Sequence, residues 1–326
     1  MIIITGATGF IGSNLVADFN QLGQTDLVLV DELGTTGKWK NIAKHRFLDI
    51  IHPRDVATFL KDAGPAQAVF HMGANSSTTA TDGDEILESN LHSSMRWWQW
   101  CARTGTPLIY ASSAATYGNG EHGFDDEQST QALDRLRPLN LYGWSKHAFD
   151  KWAVDQAAAG NAPPHWAGLK FFNVYGPNEH HKGDMRSLVA KNTLRIAQGE
   201  TLQLFKSHRP DYADGAQLRD FIYVKDCCAA MRWIMETPTT KGLFNLGTGQ
   251  ARSFVDLMQA IGKALGKPVN IEFIDMPEAI RPNYQYFTQA SMDKLRSAGF
   301  NTPFHSIEQG VLDYVQNYLM QADSYR

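Results

Sequence analysis

Met1 to Thr5 is a short, unbroken run of apolar and β-branched residues ahead of a glycine, and it predicts a fully buried strand. From Phe10 to Leu22 the apolar residues recur at three- and four-residue spacing, which predicts a helix with one inward face. Asp26 to Asp31 reads as a second strand, Asp55 to Asp62 as a helix and Ala68 to His71 as another strand. Glu85 to Thr104 predicts one long helix carrying Trp97, Trp98 and Trp100. Pro107 to Ala111 is again a strand, a helix begins near Tyr142, and Ala167 to Phe172 continues the alternation. Strand and helix alternating in this way predict an α/β fold: a doubly wound parallel sheet of Rossmann type with helices on both faces. Ligands of such a sheet lie beyond the carboxyl ends of its strands.

After Asn173 the alternation loosens. A helix is expected around Leu188 to Gln198 and a strand over Leu204 to Ser207. Phe221 to Val224 and Gly242 to Leu246 read as strands returning to the sheet region. A helix over Ser253 to Leu265, a strand over Val269 to Ile274 and short helices complete the chain. Residues 1–172 with about 221–248 are therefore expected to form a dinucleotide-binding domain. Residues of about 173–220 with 249–326 are expected to form a smaller, interleaved α/β substrate-binding domain.

Composition narrows the picture mainly by exclusion. The 326 residues carry a net charge of −4 and no basic run, so no nucleic-acid partner is expected. Three cysteines, two of them adjacent at Cys227 and Cys228, suit neither a disulfide framework nor a zinc site. With no signal peptide and no apolar stretch of membrane-spanning length, a cytoplasmic protein without membrane contact is expected. His180 and His181 are neighbours without a ligand cluster around them, so no metal is expected. The three tryptophans are expected to pack helices or a subunit interface rather than stack bases.

The first chemical signal is Gly6-x-x-Gly9-x-x-Gly12, which follows a strand and opens a helix. Backbone without Cβ can approach a pyrophosphate, and the helix N-terminus offers free N–H groups to it. Gly6, Gly9, Phe10, Ile11 and Gly12 are accordingly expected to bind a nicotinamide dinucleotide. Asp31 closes the second strand about twenty residues later, where a carboxylate accepts from ribose hydroxyls. Asp31 and Glu32 pull toward NAD, whereas Lys38 on the same loop offers a partner for the 2′-phosphate of NADP.

The second signal is Tyr142 and Lys146, four residues apart and so on one helical face. A phenol is a poor base at neutral pH, and a neighbouring ammonium is expected to lower its pKa. Ser113, at the end of the preceding strand, is expected to orient the substrate oxygen, and Asn90 to fix hydrogen bonds beside the cofactor.

These residues resemble the nucleotide-sugar epimerases of the extended short-chain dehydrogenase/reductase family. The stretches YASSAATYG (110–118), LNLYGWSK (139–146), FFNVYGPNEHHKG (171–183), RDFIYVKD (219–226), FNLGTG (244–249) and NYQYFTQA (283–290) extend the likeness over the whole chain. Within that family the His181-Lys182-Gly183 segment resembles the branch acting on ADP-activated heptoses. The resemblance implies a tightly held NADP and a pair of acid–base groups, Tyr142 and Lys182, on opposite sides of the sugar carbon. It implies epimerisation at C6 through a transient ketone, supplying a lipopolysaccharide core sugar precursor, and a homo-oligomer. It assigns Ser113, Asn173, Asp184, Lys191, Phe205, Ser207, Arg219 and Tyr284 to the substrate, with Arg219 at the diphosphate. Glu32 stands where an amide is common, Asp184 where a small or basic residue is usual, and residues 208–217 form a longer polar loop.

Three bland alternatives stand beside this: a solvated Lys182, a solvated Glu32 and Lys38, and an Arg219 paired internally with Asp220. The rival activities are a UDP-hexose 4-epimerase, a 4,6-dehydratase and a non-catalytic NAD(P)-binding sensor. Ala114 and Ala115 occupy the places of the acidic pair that the resemblance assigns to dehydratases, and a sensor has no need of an intact Ser113, Tyr142 and Lys146.

Overall fold

The computed structural model describes residues 1–278, 281 and 284–326; Asn283, the first residue of the NYQYFTQA stretch, lies outside them. Seven parallel strands form the central sheet in the order β10-β6-β5-β4-β1-β2-β3. They are β1 (Ile2–Thr5), β2 (Leu27–Val30), β3 (Asp49–Ile51), β4 (Ala68–His71), β5 (Leu108–Ser113), β6 (Trp166–Phe171) and β10 (Gly242–Leu246). β1, β2, β4, β6 and β10 are buried along their whole length, so their side chains need no polar alternation. Order reverses at β1, which pairs with β2 on one side and β4 on the other. This is the topological switch point, and the glycine turn leaves the sheet there.

Two smaller sheets complete the fold. β7 (Asn173–Tyr175), β9 (Leu218–Tyr223) and β11 (Ala251–Ser253) form one; β8 (Thr201–Phe205) and β12 (Asn270–Ile274) form the other. One apolar cluster lies around the large sheet, with Phe70, Trp98 and Leu169 at its heart. A second joins Tyr175, Val189, Met258, Val311 and Tyr314. The three tryptophans are buried in the first: Trp98 meets Phe149 and Trp166 edge-on, and Trp97 packs against Trp100. Among the described residues, no helix is long and apolar enough to cross a membrane.

Three expectations about elements need correction. The strand near Phe221 does not return to the central sheet. β6 swings out of it at Phe172 into β7, and β9 follows β7 with Phe221 beside Asn173, while β10 takes the place next to β6. The long helix from Glu85 is broken into Gly83–Ile86, a π-helical stretch over Leu87–His92, and Ser93–Thr104. From the segment that follows, the Ser94 hydroxyl donates back to the Asn90 carbonyl of the π-helical stretch at 2.6 Å. β8 ends at Phe205, so Ser207 belongs to the following loop, where its amide donates to Asp214.

Candidate active site

The glycine turn owes its three glycines to different causes. Gly6 has φ +62°, and a Cβ there would lie 2.7 Å from the Gly73 amide nitrogen. At Gly12 a Cβ would meet the Gly6 carbonyl oxygen at 2.2 Å. Those two close the turn onto itself and onto β4 with or without a ligand. Gly9 is different: a Cβ would touch only the Gly6 carbonyl oxygen, at 3.1 Å. Gly9 is the N-cap of the first helix (Phe10–Gln21), with no side-chain cap and no acidic residue in the first turn. The helix dipole and free N–H groups therefore face the open side of Gly9, as a pyrophosphate requires. Phe10 is buried and Ile11 half-buried at this turn.

Asp31 follows β2 and has both carboxylate oxygens occupied. One accepts from the Thr8 amide and hydroxyl at 2.9 and 2.7 Å. The other accepts from the Glu32 amide at 2.8 Å and from the Lys38 ammonium at 3.0 Å. Lys38 is thus tied to Asp31 rather than solvated, while Glu32 is exposed. Thr8 and Asn41, which donates to the Thr8 carbonyl at 2.8 Å, are parts of this loop that the sequence pattern does not single out.

Ser113 ends β5 and Tyr142 lies in the first turn of the helix Leu141–Ala158. Asn140 caps that helix by accepting from the Gly143 amide at 2.8 Å. A Cβ on Gly143 would come within 2.8 Å of the Ala115 carbonyl oxygen, so this helix reaches the turn after β5 only because residue 143 lacks one. The close approach brings Ser113 and the Tyr142 phenol onto the wall of one cleft. Burial pushes that phenol above its ordinary range, opposed by the Ser113 hydroxyl and with the Asp150 charge adding to the push. The expected lowering by Lys146 is therefore not a property of the protein alone. Burial brings the Lys146 ammonium down to about 8, against the pull of Asp150. Asp150, one further turn along the face of Tyr142 and Lys146, is wholly buried and forms an ion pair with Lys170 at 2.7 Å.

Asn90 is wholly buried and its amide is committed to the protein. It accepts from the Asn75 amide at 2.8 Å and donates to the Asn75 carbonyl and the Ser145 hydroxyl. It thus braces the loop after β4 against the Tyr142 helix, and its side chain has no free donor for a cofactor. The π-helical stretch that holds it is a frequent device at functional sites.

One cleft of about 630 Å³ gathers Ser113, Tyr142, Asn173, Arg219 and Tyr284 at the carboxyl ends of β5 and β6. Arg219 is not paired with Asp220. Asp220 instead accepts from Thr248, Gly249 and Ala290. The Arg219 guanidinium lies between the rings of Phe254 and Tyr284, 5.5 and 5.4 Å from their centroids, and donates to the Leu218 carbonyl. Burial lowers its pKa, against the pull of Tyr284 and Tyr212. A half-buried cation that has no carboxylate partner among the described residues, opening on a cleft, is suited to an anionic ligand. Phe205 packs edge-on against Tyr284 at 6.2 Å.

Lys182 is not on the wall of that cleft. It lies in the turn His180–Met185, its ammonium 5.3 Å from the centroid of Phe10 at the start of the first helix. Burial lowers its pKa, and the Glu179 carboxylate opposes that. Asp184 is exposed and Lys191 half-buried on the helix Leu188–Ala197. The adjacent histidines go to different partners: His180 packs on Tyr325, while His181 is 3.2 Å from the Asn41 amide.

Known proteins place this geometry. The model of the NAD dependent epimerase/dehydratase family matches residues 2–247. ADP-L-glycero-D-manno-heptose-6-epimerase of Nitratidesulfovibrio vulgaris (strain DP4) is 48% identical over 329 residues, covering 100% of both chains. The crystal structure of the Helicobacter pylori ADP-L-glycero-D-manno-heptose-6-epimerase superposes with a TM-score of 0.81 at 27% identity, over 97% of this chain and 95% of that one. MoeE5, solved in complex with UDP-glucuronic acid and NAD, matches with a TM-score of 0.74 at 25% identity, over 96% and 97% of the two chains. The chain belongs to the NAD dependent epimerase/dehydratase family, on its nucleotide-sugar epimerase branch.

Proposed function

We propose that this protein inverts C6 of the heptose in an ADP-glycero-manno-heptose, through transient oxidation to a ketone and re-reduction on the other face, with NADP as cofactor. The observation that carries this reading is the single cleft where Ser113, Tyr142, Asn173, Arg219 and Tyr284 meet. It lies in a chain 48% identical, over its full length, to a relative named for that reaction. The open side of Gly9 and the uncapped first helix would hold the cofactor pyrophosphate, with Asp31 and Lys38 at the adenosine ribose. The nicotinamide, when bound, supplies a reversible hydride acceptor that no side chain offers. Because Lys38 offsets the Asp31 charge, a 2′-phosphate meets less repulsion than Asp31 alone would impose, which supports NADP over NAD.

The side chains divide the remaining work. Ser113 orients the reacting sugar oxygen, and Tyr142 exchanges a proton with it as one acid–base group. Lys146, charged below about 8, stabilises the phenolate form of Tyr142 and holds the cofactor. Lys182 is the second acid–base group, acting from the opposite face after its ammonium leaves the Phe10 ring. Arg219 binds the diphosphate. The product is an activated heptose for the lipopolysaccharide core. Incubating the cofactor-loaded protein with either ADP-heptose epimer tests the reaction. Proton NMR should show interconversion while nicotinamide absorbance ends unchanged. A cofactor-loaded sample that never interconverts the epimers overturns the proposal.

That Lys182 does not line the cleft favours one second reading, a hexose 4-epimerase working with Tyr142 alone. Replacing Lys182 by Met distinguishes them. A two-base enzyme loses turnover, whereas a one-base enzyme keeps it on a UDP-hexose.

A further inference from the structure

Residues 284–288 form one wall of the cleft, which Tyr284, Gln285 and Thr288 line. Two contacts hold this segment in place. The Gln285 side-chain amide donates to the Gly118 carbonyl in the turn after β5. Further along, the segment runs beside the start of β9. The Leu218 amide donates to the Tyr286 carbonyl at 2.8 Å, and the Thr288 amide donates to the Leu218 carbonyl at 3.2 Å. Tyr286 and Thr288 are buried while Phe287 between them is exposed, the alternation of an extended chain. The backbone of Thr288 is thereby set by β9, the strand that also carries Arg219.

The side chain of Thr288 is polar where the protein gives it nothing to bond. Thr288 is 4% exposed, and its hydroxyl is shielded from solvent with no hydrogen-bond partner among the described residues. A buried hydroxyl of this kind carries an uncompensated desolvation cost, which a valine of nearly the same shape would not carry. Rotation about the Cα–Cβ bond exchanges the directions of the hydroxyl and the methyl group. A threonine on the cleft wall can therefore present its hydroxyl to a ligand. Much of the remaining wall cannot: Ala114, Ala115, Leu139, Phe171 and Phe172 have no polar side chain, and the Asn140 oxygen is spent on the Gly143 amide.

The backbone contact also says which part of a ligand Thr288 meets. The Leu218 carbonyl that accepts from the Thr288 amide accepts from the Arg219 guanidinium as well, at 2.8 Å. Thr288 and the cation thus converge on one oxygen. In a nucleotide sugar whose diphosphate lies at Arg219 and whose reacting carbon lies at Ser113 and Tyr142, the ring of the sugar lies between. Its hydroxyls need partners there, and Arg219 already serves the phosphates.

We propose that the Thr288 hydroxyl binds a ring hydroxyl of the nucleotide-linked sugar, and is a specificity residue that favours the sugar nucleotide over the bare nucleotide. This rests on the ADP-heptose reading above.

The test uses the cofactor-loaded protein in a Tyr142→Phe background, so that ligand is bound without turnover, and titrates it with ADP-heptose and with ADP by calorimetry. Thr288→Val should weaken ADP-heptose roughly tenfold and leave ADP unchanged. Thr288→Ser keeps the hydroxyl and should hold ADP-heptose within about twofold of the parent. Without ligand, Thr288→Val should unfold at a higher urea concentration than the parent, because it removes a buried hydroxyl that has no partner. Equal ADP-heptose affinity in parent and Thr288→Val overturns the proposal. An equal loss for ADP overturns it too, by giving the hydroxyl to the diphosphate, and an equal loss in Thr288→Ser does so by giving the effect to the methyl group. A lowered urea midpoint in Thr288→Val would show that the hydroxyl is paired inside the protein, and is equally fatal. A parent that binds ADP but never ADP-heptose would remove the ADP-heptose reading itself.

Discussion

Arg219 carries the most binding chemistry of any single residue in the cleft. Its guanidinium lies between two rings and has no carboxylate partner among the described residues, so its remaining donors are available to an anion. A lysine in its place keeps the charge but loses the stacking and the planar fork. Arg219→Lys should weaken ADP binding, measured by calorimetry, roughly tenfold or more, since charge-assisted hydrogen bonds contribute about 1.5–3 kcal/mol. Unchanged affinity would place the diphosphate elsewhere. Tyr142→Phe makes the opposite split: ADP and cofactor should bind as before while kcat falls roughly 10²- to 10⁴-fold. Much at this scale is legible in the sequence, because Ser113, Tyr142, Arg219 and Tyr284 stand in recognisable stretches. What the sequence conceals is which neighbour each residue chooses. Adjacency suggested Arg219 with Asp220, yet strand alternation sends the two side chains to opposite faces, and Asp220 is consumed by backbone amides from residues 248, 249 and 290.

Elements, rather than residues, set the distance between Ser113 and Tyr142. The helix Leu141–Ala158 approaches the turn after β5 so closely that Gly143 has no room for a methyl group. Gly143→Ala should push the helix outward, at a cost of ~1–3 kcal/mol for the overpacking. Urea unfolding measures that cost, and kcat should fall with it while cofactor affinity holds. A variant with full activity would show that the contact is not what aligns the phenol. Periodicity revealed the helices and the buried strands, since both depend on where apolar residues fall. It did not reveal that β9 leaves the central sheet, because a short apolar strand suits either sheet and the choice lies in the departure of β7 at Phe172. Nor did it reveal the π-helical stretch, in which Asn90 is anchored to Asn75 and Ser145, a contact between distant segments.

Across the whole molecule, these elements are joined by a buried polar chain whose direction can be assigned. Ser94 donates its one hydroxyl proton to the Asn90 carbonyl at 2.6 Å, so at 2.9 Å it accepts from His71 Nε2. The other nitrogen of that neutral imidazole, Nδ1, then accepts from the Thr5 hydroxyl at 2.7 Å, which itself accepts from the Gly73 amide at 2.9 Å. The ends of β1 and β4 are thereby linked to the π-helical stretch beside the cleft through a neutral imidazole. Burial drives the His71 pKa down to about 3, with the Lys146 charge contributing. A histidine whose folded pKa lies below its unfolded value of about 6.5 takes up a proton on unfolding. Its stabilising effect is complete above that value and is lost as pH falls through the window from about 6.5 toward about 3. The slope within the window is ~1.4 kcal/mol per pH unit. Asp126, Asp226 and Glu179, all raised by burial, act in the opposite sense, so the histidine must be isolated by difference. His71→Gln will lower stability at every pH, because a glutamine amide does not reproduce both hydrogen bonds. Its loss of stability between pH 7.5 and 5.5 should nevertheless be smaller than the parent's by ~1.4 kcal/mol, read from urea midpoints at the two pH values. Equal pH dependence in parent and variant would mean that His71 titrates normally in the folded protein and that the chain through it does not run as drawn.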